Sequence, residues 1–279
     1  MARTWLITGT SSGIGNELAQ AVLEHGDNLV ATSRRPESVD GLVAAYGDRV
    51  RAVALDVTDP AACRDVVRAA VDAFGSLDVV VNNAGYAVSG SLEETPDDVF
   101  REQVETNLFG VVNVTRAALP VLRAQRHGLV MQISSIGGRV GGTPGLGAYQ
   151  TAKFGVEGFS EVLANEVRPF GVKVVIVEPG GFRTRWSAGA GSLAAEVGPD
   201  YQASVGEFMK FREQYAGKEP GDPARAARVL VDVAGMDDPP LRLLLGSDAL
   251  QRARESSDKR AAEAEKWAEL TASTDYAAG

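Results

Sequence analysis

Seven short, mainly apolar runs divide the chain of 279 residues. They cover residues 5–8, 28–32, 50–55, 77–81, 129–133, 172–177 and 241–245, and most of the stretches between them have helical spacing. Apolar runs that lack polar alternation are typical of parallel strands covered on both faces, and helices connect such strands. The sequence therefore predicts an α/β fold with a doubly wound, seven-stranded parallel sheet and helices on both faces.

Glycine, proline or polar residues stand where six of these runs end, namely Gly9, Ser33, Asp56, Asn83, Ser135 and Pro179. The carboxyl ends of parallel strands lie at one edge of a sheet, and open α/β sheets bind ligands at that edge. We therefore expect the candidate site residues to meet in one crevice.

Composition and net charge disfavour several classes of binding partner and site. The formal net charge of -9 and the pI near 4.9 disfavour nucleic acid and anionic membrane surfaces as partners. The single cysteine, Cys63, excludes a disulfide framework, and we expect no metal site. The chain has no signal-peptide pattern and no apolar run of about 18 residues. We expect one domain over residues 1–279 in a soluble, cytoplasmic protein.

A glycine-rich loop, TGTSSGIG at residues 8–15, joins the first run to a predicted helix from Glu17 to His25. At such a junction the helix N-terminus and the backbone N–H groups bind an anion, and glycines let a pyrophosphate approach the main chain. Outside this context the loop would be a plain turn. We predict dinucleotide contacts from Gly9, Ser11, Ser12, Gly13, Ile14 and Gly15.

The second run ends in Ser33-Arg34-Arg35, without a carboxylate. In dinucleotide folds an acidic residue there holds the ribose of NAD, whereas an arginine accommodates the 2′-phosphate of NADP. We predict a preference for NADP(H), with Arg34 as the phosphate clamp and Arg35 as the substitute. The alternative is two solvated arginines.

Tyr149 and Lys153 are four residues apart in a predicted helix from Ala148, so their Cβ atoms would lie about 5 to 6 Å apart. Moving a tyrosine pKa from about 10 to near 7 requires roughly 4 kcal/mol. An ammonium ~5 Å away supplies about 3 kcal/mol at an effective dielectric constant of ~20. An oxidised nicotinamide would add a second positive charge, and a proton donor beside a hydride carrier forms a carbonyl-reduction site. The alternative is a chance spacing.

Two other segments bear on function. Residues 185–221 are rich in glycine, alanine and serine and then carry aromatic residues at helical spacing, which indicates either core or a lid over an apolar substrate. The tail at 249–279 begins with a charged, alanine-rich helix that we expect on the surface or against another subunit.

A further helix, predicted from Thr95 to about Ala124, contains Asn107, which alone would suit a solvent-facing position.

Together these motifs resemble the short-chain dehydrogenase/reductase family, in its form with Thr-Gly-x-x-x-Gly-x-Gly and Tyr-x-x-x-Lys. The matching residues are 8–15, Asp56, 82–85, Asn107, Ser135, Tyr149, Lys153 and 179–184. The resemblance implies a Rossmann fold, a nicotinamide cofactor and a small carbonyl or alcohol substrate.

The resemblance also implies the role of each catalytic residue. Tyr149 would exchange the proton with the substrate oxygen, while Lys153 would lower the pKa of Tyr149 and hold the nicotinamide ribose. Ser135 would hydrogen-bond the carbonyl, and Asn107 would keep a water that links Lys153 to solvent. The interval from Ser135 to Tyr149 is one residue longer than usual, which leaves Ser134 open as the catalytic serine.

The remaining cofactor contacts implied by the resemblance are Asp56, Val57, Asn83, Ala84, Gly85, Pro179, Gly180, Phe182 and Thr184. Of these, Asp56 and Asn83 would contact the adenosine half, while residues 181–184 would contact the carboxamide end. The sequences of residues 135–140 and 179–184 are similar to those of retinol and 17-beta-hydroxysteroid dehydrogenases. This similarity suggests that the substrate is an apolar alcohol or ketone. The resemblance also implies a homodimer or homotetramer, with the helices of Asn107 and Tyr149 at the interface.

The sequence thus predicts an NADP(H)-dependent oxidoreductase with Tyr149 as general acid and base. One alternative is a non-catalytic dinucleotide sensor or regulatory protein on the same fold, because a fold does not fix a function. Another is an enzyme that uses the cofactor for epimerisation or dehydration.

Overall fold

The computed structural model of the protein describes residues 2–184 and 196–276. Seven strands form one parallel sheet in the order β3-β2-β1-β4-β5-β6-β7. They are β1 (Thr4–Thr8), β2 (Asn28–Ser33), β3 (Val50–Ala54), β4 (Val79–Asn82), β5 (Gly128–Ile133), β6 (Val172–Pro179) and β7 (Arg242–Leu245). Each predicted run lies on a strand, so the predicted sheet is confirmed. The strand order reverses between β1 and β4, which opens a crevice at the carboxyl edge.

Helices cover both faces of the sheet. In the described segments they are α1 (Gly13–His25), α2 (Asp40–Tyr46), α3 (Pro60–Phe74), α4 (Asp97–Val104), α5 (Gly110–Gln125), α6 (Ile136–Arg139), α7 (Gly147–Val167), α8 (Glu207–Tyr215), α9 (Pro223–Ala234), α10 (Ser247–Lys266) and α11 (Ala268–Ala272). Successive strand residues point to opposite faces. Trp5 and Ile7 pack with α1 and α9, whereas Leu6 packs with α3, α5 and α7. Both faces of the sheet are therefore buried.

Three local features differ from the sequence predictions. Helix α1 begins at Gly13 and not at Glu17, because the end of the glycine loop already winds into the first turn. The helix predicted over 95–124 consists of α4 and α5 joined by a π turn at Glu105–Phe109. The residues after Ser135, for which no element was predicted, form the short helix α6.

The described part of the tail, up to residue 276, lies on the surface of this chain. Ala249 and Ala253 are the buried residues of α10, while Trp267 and Leu270 are exposed. Of the predicted lid or core region, residues 185–195 lie outside the described part, and the remainder forms short turns and α8. No helix in the described segments combines the length and apolarity needed to cross a bilayer.

Candidate active site

A cleft of about 1190 Å³ opens at the carboxyl edge of the sheet. It exceeds the roughly 300 to 1,000 Å³ of common small-molecule pockets, as a dinucleotide together with a substrate would require. The predicted site residues that line it are Gly9, Ser11, Ser12, Gly13, Ile14, Arg34, Asp56, Val57, Asn83, Ala84, Gly85, Asn107, Ser135, Tyr149, Lys153, Pro179, Gly180, Phe182 and Thr184. Gly15 lies beneath the loop and does not line the cleft.

Two glycines let the loop lie against the end of β4. A Cβ on Gly15 would be 2.2 Å from Asn83 Nδ2 and 2.5 Å from the Gly9 carbonyl oxygen. Gly9 has a φ of +72°, and a Cβ there would be 2.9 Å from Ala84 Cα. Asn83 Nδ2 donates to the carbonyl oxygens of Thr8 and Gly9 at 2.9 and 3.0 Å. The Asn83 side chain thus fixes two strand ends to each other.

The loop presents the N-terminus of α1 to the cleft. Within the described residues, the Ser12 hydroxyl accepts no capping hydrogen bond from the first turn, which leaves the turn's N–H groups to bind an anion. Across the cleft, Thr184 Cβ lies 3.6 Å from where a Cβ on Gly13 would stand. The glycine loop and the N-terminus of α1, together called the glycine cradle, therefore fit the pyrophosphate of a dinucleotide.

Arg34 and Asp56 stand beyond the ends of β2 and β3, where both side chains are exposed. Asp56 Oδ1 accepts hydrogen bonds from the Thr58 amide and hydroxyl at 2.9 and 2.7 Å. These bonds, and then the charge of Arg34, lower the pKa of Asp56. Arg35, the substitute for Arg34, does not line the cleft.

Asn107 is fully buried in the π turn. Its Nδ2 donates to the carbonyl oxygens of Tyr86 and Gln103, both at 2.8 Å, and its Oδ1 accepts from the Tyr86 amide at 3.0 Å. A Cβ on Gly85 would be 2.5 Å from this Oδ1 and 3.8 Å from Lys153 Nζ. The side chain therefore points inward and holds the backbone at 85–86 close to Lys153.

The two serines after β5 have different partners. Ser135 Oγ accepts from the Gly137 amide at 3.0 Å and is hydrogen-bonded to the Tyr149 hydroxyl. Ser134 is buried, and its hydroxyl faces the carboxylate of Glu157. Of the pair, Ser135 is the one whose hydroxyl contacts that of Tyr149.

Burial dominates the ionisation of Tyr149 and Lys153. Lys153 Nζ lies 5.7 Å from the centroid of the Tyr149 ring and donates to the Ile133 carbonyl at 2.7 Å. Desolvation raises the pKa of Tyr149 to about 12. Desolvation also lowers the pKa of Lys153 to about 8, and the carboxylate of Glu157 opposes this. In this structure burial therefore outweighs any lowering of the Tyr149 pKa by the lysine, because residue spacing does not report the cost of burying a phenolate.

A buried charge network, which sequence analysis missed, lies behind Lys153. Arg242 on β7 donates to Glu157, to Glu178 Oε1 at 2.6 Å and to Glu161 Oε1 at 2.7 Å. Glu157 and Glu178 are both buried. The spacing of Glu157 could have revealed this network, since Glu157 follows Lys153 by four residues and shares its side of α7.

Asp248, on α10, fixes the loop that follows β6. Its Oδ2 accepts from the Gly181 amide at 2.7 Å. A Cβ on Gly180 would be 2.4 Å from both carboxylate oxygens, so this close approach requires glycine. The segment predicted to contact the carboxamide is thus positioned by a residue that the motifs did not include.

Helix α8 forms the wall of the cleft beside Tyr149. Phe208, Phe211 and Tyr215 line it, and Phe208 packs with Tyr149 in a small apolar cluster. Arg212 lines the same wall. All nine residues of α8 are described and none is buried, which favours a cover over the cleft rather than core. The aromatic spacing predicted this helix, but nothing in the motifs singled out Arg212.

Comparisons with known proteins agree with this architecture. The family model described as short chain dehydrogenase matches residues 3–192. Oxidoreductase BOA17 of Botryotinia fuckeliana is 46% identical over 272 residues, covering 97% of this chain and 98% of that protein. The 3-ketodihydrosphingosine reductase of Bacteroides thetaiotaomicron is 37% identical over 242 residues, covering 86% and 87%.

Among solved structures, a short-chain dehydrogenase from Streptomyces avermitilis is 40% identical. It superposes with a TM-score of 0.90, and the match covers 99% of this chain and 100% of that one. The family is one of oxidoreductases that bind nicotinamide dinucleotides. The chain belongs to the short-chain dehydrogenase family.

Proposed function

We propose that the protein is an NADP(H)-dependent oxidoreductase that transfers a hydride between nicotinamide and a secondary alcohol or carbonyl compound. The observation that carries the proposal is the hydrogen bond between the Ser135 and Tyr149 hydroxyls in the cleft that also contains Lys153 and the glycine cradle. A substrate oxygen that accepts from both hydroxyls would lie beside the proton donor.

The cofactor, when bound, supplies or accepts the hydride. In reduction, Ser135 and Tyr149 hold the substrate oxygen, and the Tyr149 proton passes to it. Because its pKa is raised to about 12, the Tyr149 hydroxyl carries its proton at neutral pH, as a general acid must. The Lys153 ammonium then favours the phenolate, which is the base for alcohol oxidation. We assign the catalytic serine to Ser135 rather than Ser134.

Arg34 supports the preference for NADP(H) over NAD(H). It lines the cleft just beyond Ser33, where an arginine accommodates a 2′-phosphate. Lys153 would hold the nicotinamide ribose, and the loop that Asp248 fixes would bind the carboxamide.

The aromatic wall of α8 supports an apolar substrate. The relative from Bacteroides thetaiotaomicron is named for the reduction of a keto compound, which is consistent with a carbonyl substrate. The similarity to retinol and 17-beta-hydroxysteroid dehydrogenases and the cytoplasmic location remain predictions. A homo-oligomer built on α5 and α7 would cover Phe109, Phe154 and Val162, which are exposed on or beside these helices.

The test is a pair of binding titrations with NADPH and NADH. Binding is monitored by energy transfer from tryptophan to the reduced nicotinamide. We expect tighter binding of NADPH and a loss of that preference in Arg34→Ala, with Arg35→Ala as the matched control. A screen of apolar ketones should then show NADPH consumption. Tighter NADH binding would contradict the role of Arg34, and no consumption with any ketone would favour a dinucleotide sensor.

A further inference from the structure

Arg212 brings a positive charge to the substrate side of the cleft. It is half-buried on α8 and lines the same cleft as Tyr149 and Ser135. Its Cζ lies 5.8 Å from the centroid of the Phe208 ring, and Phe208 packs against Tyr149. The guanidinium therefore lies at the part of the cleft lined by Phe208 and Tyr149, and not at the phosphate end with Arg34.

A buried serine holds this guanidinium in place. Arg212 Nη1 donates to Ser89 Oγ at 2.8 Å, and Ser89 is fully buried. The adjoining backbone is fixed as well, because the Val88 amide donates to Gln103 Oε1 at 2.8 Å and Gln103 Nε2 donates to the Val88 carbonyl at 3.2 Å. An anchored guanidinium loses less side-chain entropy when it binds an anion.

Arg212 and Tyr149 lie within electrostatic reach of each other. Burial is the main influence on both, raising the pKa of Tyr149 and lowering that of Arg212. The charge of Arg212 also lowers the pKa of Tyr149, and Tyr149 in turn raises that of Arg212. Arg212 is half-buried and Tyr149 is buried, so a cation there attracts an anion more strongly than it would in water.

We propose that Arg212 selects substrates that carry a carboxylate near the reacting carbonyl or alcohol. A carboxylate accepts parallel N–H bonds from the planar guanidinium. The reacting oxygen would lie at Tyr149 and Ser135, the carboxylate at Arg212, and the apolar remainder against Phe208 and Phe211. The substrate class is then an apolar keto acid or hydroxy acid. This inference rests on the proposed oxidoreductase function and sharpens it.

The test compares 4-oxononanoate with its primary amide, which keeps the keto group and loses the charge. Calorimetry measures the binding of each to the protein saturated with NADP⁺, and NADPH consumption measures turnover. The variants are Arg212→Gln and, as a matched control, Lys210→Gln. Lys210 is exposed on the same helix and pairs with Glu207, so its loss makes the same charge change away from the cleft.

We expect the wild type to bind the acid about 10- to 100-fold more tightly than the amide, the range of a charge-assisted hydrogen bond. Arg212→Gln should remove this difference and leave the affinity for the amide unchanged, which also shows that the variant is folded. Lys210→Gln should behave as the wild type.

Equal binding of acid and amide by the wild type would overturn the inference. So would an equal loss for both in Arg212→Gln, because that result means that Arg212 acts only through Tyr149 or on folding. Acid binding that depends on Arg212, without NADPH consumption for any ketone, would keep the anion site and reject the proposed function.

Discussion

The two ends of the cleft are built in different ways. The cofactor end consists of loops that directly follow strands, and main-chain bonds such as those from Asn83 to Thr8 and Gly9 hold them together. The substrate end depends on α8, and its Arg212–Ser89 contact joins residues 123 positions apart. Strand order brings most of the first end together, with Asp248 on α10 fixing the loop after β6, whereas the second end requires a later segment to fold back. If the proposed function holds, the sheet edge carries the cofactor contacts and α8 the substrate contacts.

Ser135 lies where the two ends meet, and its loss should have a large effect. Ser135→Ala should lower kcat on a ketone found by screening by about 100- to 1,000-fold, since it removes a donor to the developing oxyanion. NADPH binding should not change, which a titration checks. Ser134→Ala is the matched control and should retain most activity. The reverse order of the two variants would transfer the catalytic role to Ser134.

Gly15 tests whether close packing builds the cofactor end. Gly15→Ala places a methyl group 2.2 Å from Asn83 Nδ2 and 2.5 Å from the Gly9 carbonyl oxygen. We expect it to lower the free energy of unfolding by about 1 to 3 kcal/mol and to weaken NADPH binding. Thermal unfolding and a titration measure the two effects.

Gly41, in α2, is the control for that change. Outside its chain neighbours and its own helix backbone, no described atom lies within 4 Å of where a Cβ would stand. Gly41→Ala should raise the free energy of unfolding by up to about 1 kcal/mol, because glycine is costly in a helix. Equal effects of the two substitutions would contradict the tight fit of the glycine loop.

Glu157 tests the charge network behind Lys153. Its carboxylate raises the pKa of Lys153 against burial, so Glu157→Gln should move that pKa below about 8. As the pH rises, Lys153 then loses its proton earlier than in the wild type. Both NADPH affinity and kcat should therefore begin to fall at a pH roughly one unit lower than in the wild type.

Glu161→Gln is the matched control for this shift. Glu161 also accepts from Arg242, but it is half-exposed and a turn farther along α7. The facing charged groups, Arg242, Glu178 and Arg139, stay in place in both variants. Identical pH profiles for the wild type and Glu157→Gln would show that the network serves folding alone.

Much of the fold and of the cofactor end followed from the sequence. The strands were predictable because short, continuous apolar runs that alternate with helical segments are typical of buried parallel strands. That the predicted site residues line one cleft was predictable because parallel strands end at one edge, which brings Gly9, Asn83 and Ser135 together. The π turn around Asn107 was missed, since an extra residue in a helical turn leaves the apolar spacing on either side intact.

Two features of the site could not be predicted without knowing how the helices pack in three dimensions. The spacing of Tyr149 and Lys153 gave their separation, but their pKa values depend on burial, which the interval between them does not encode. Arg212 was missed because its role arises from the place of α8, and nothing in its own helix specifies Ser89 as its partner. What a later segment adds to the cleft is therefore the part that sequence motifs describe least.

The most direct measurement is carbonyl reduction by Tyr149→Phe, with the NADPH dissociation constant measured on the same sample. General acid catalysis contributes about 100- to 10,000-fold. We predict a fall in kcat within that range with an unchanged dissociation constant for NADPH, because the phenyl ring preserves the packing and removes only the proton donor. Unchanged turnover on the same ketone would contradict the assignment of Tyr149 as the general acid.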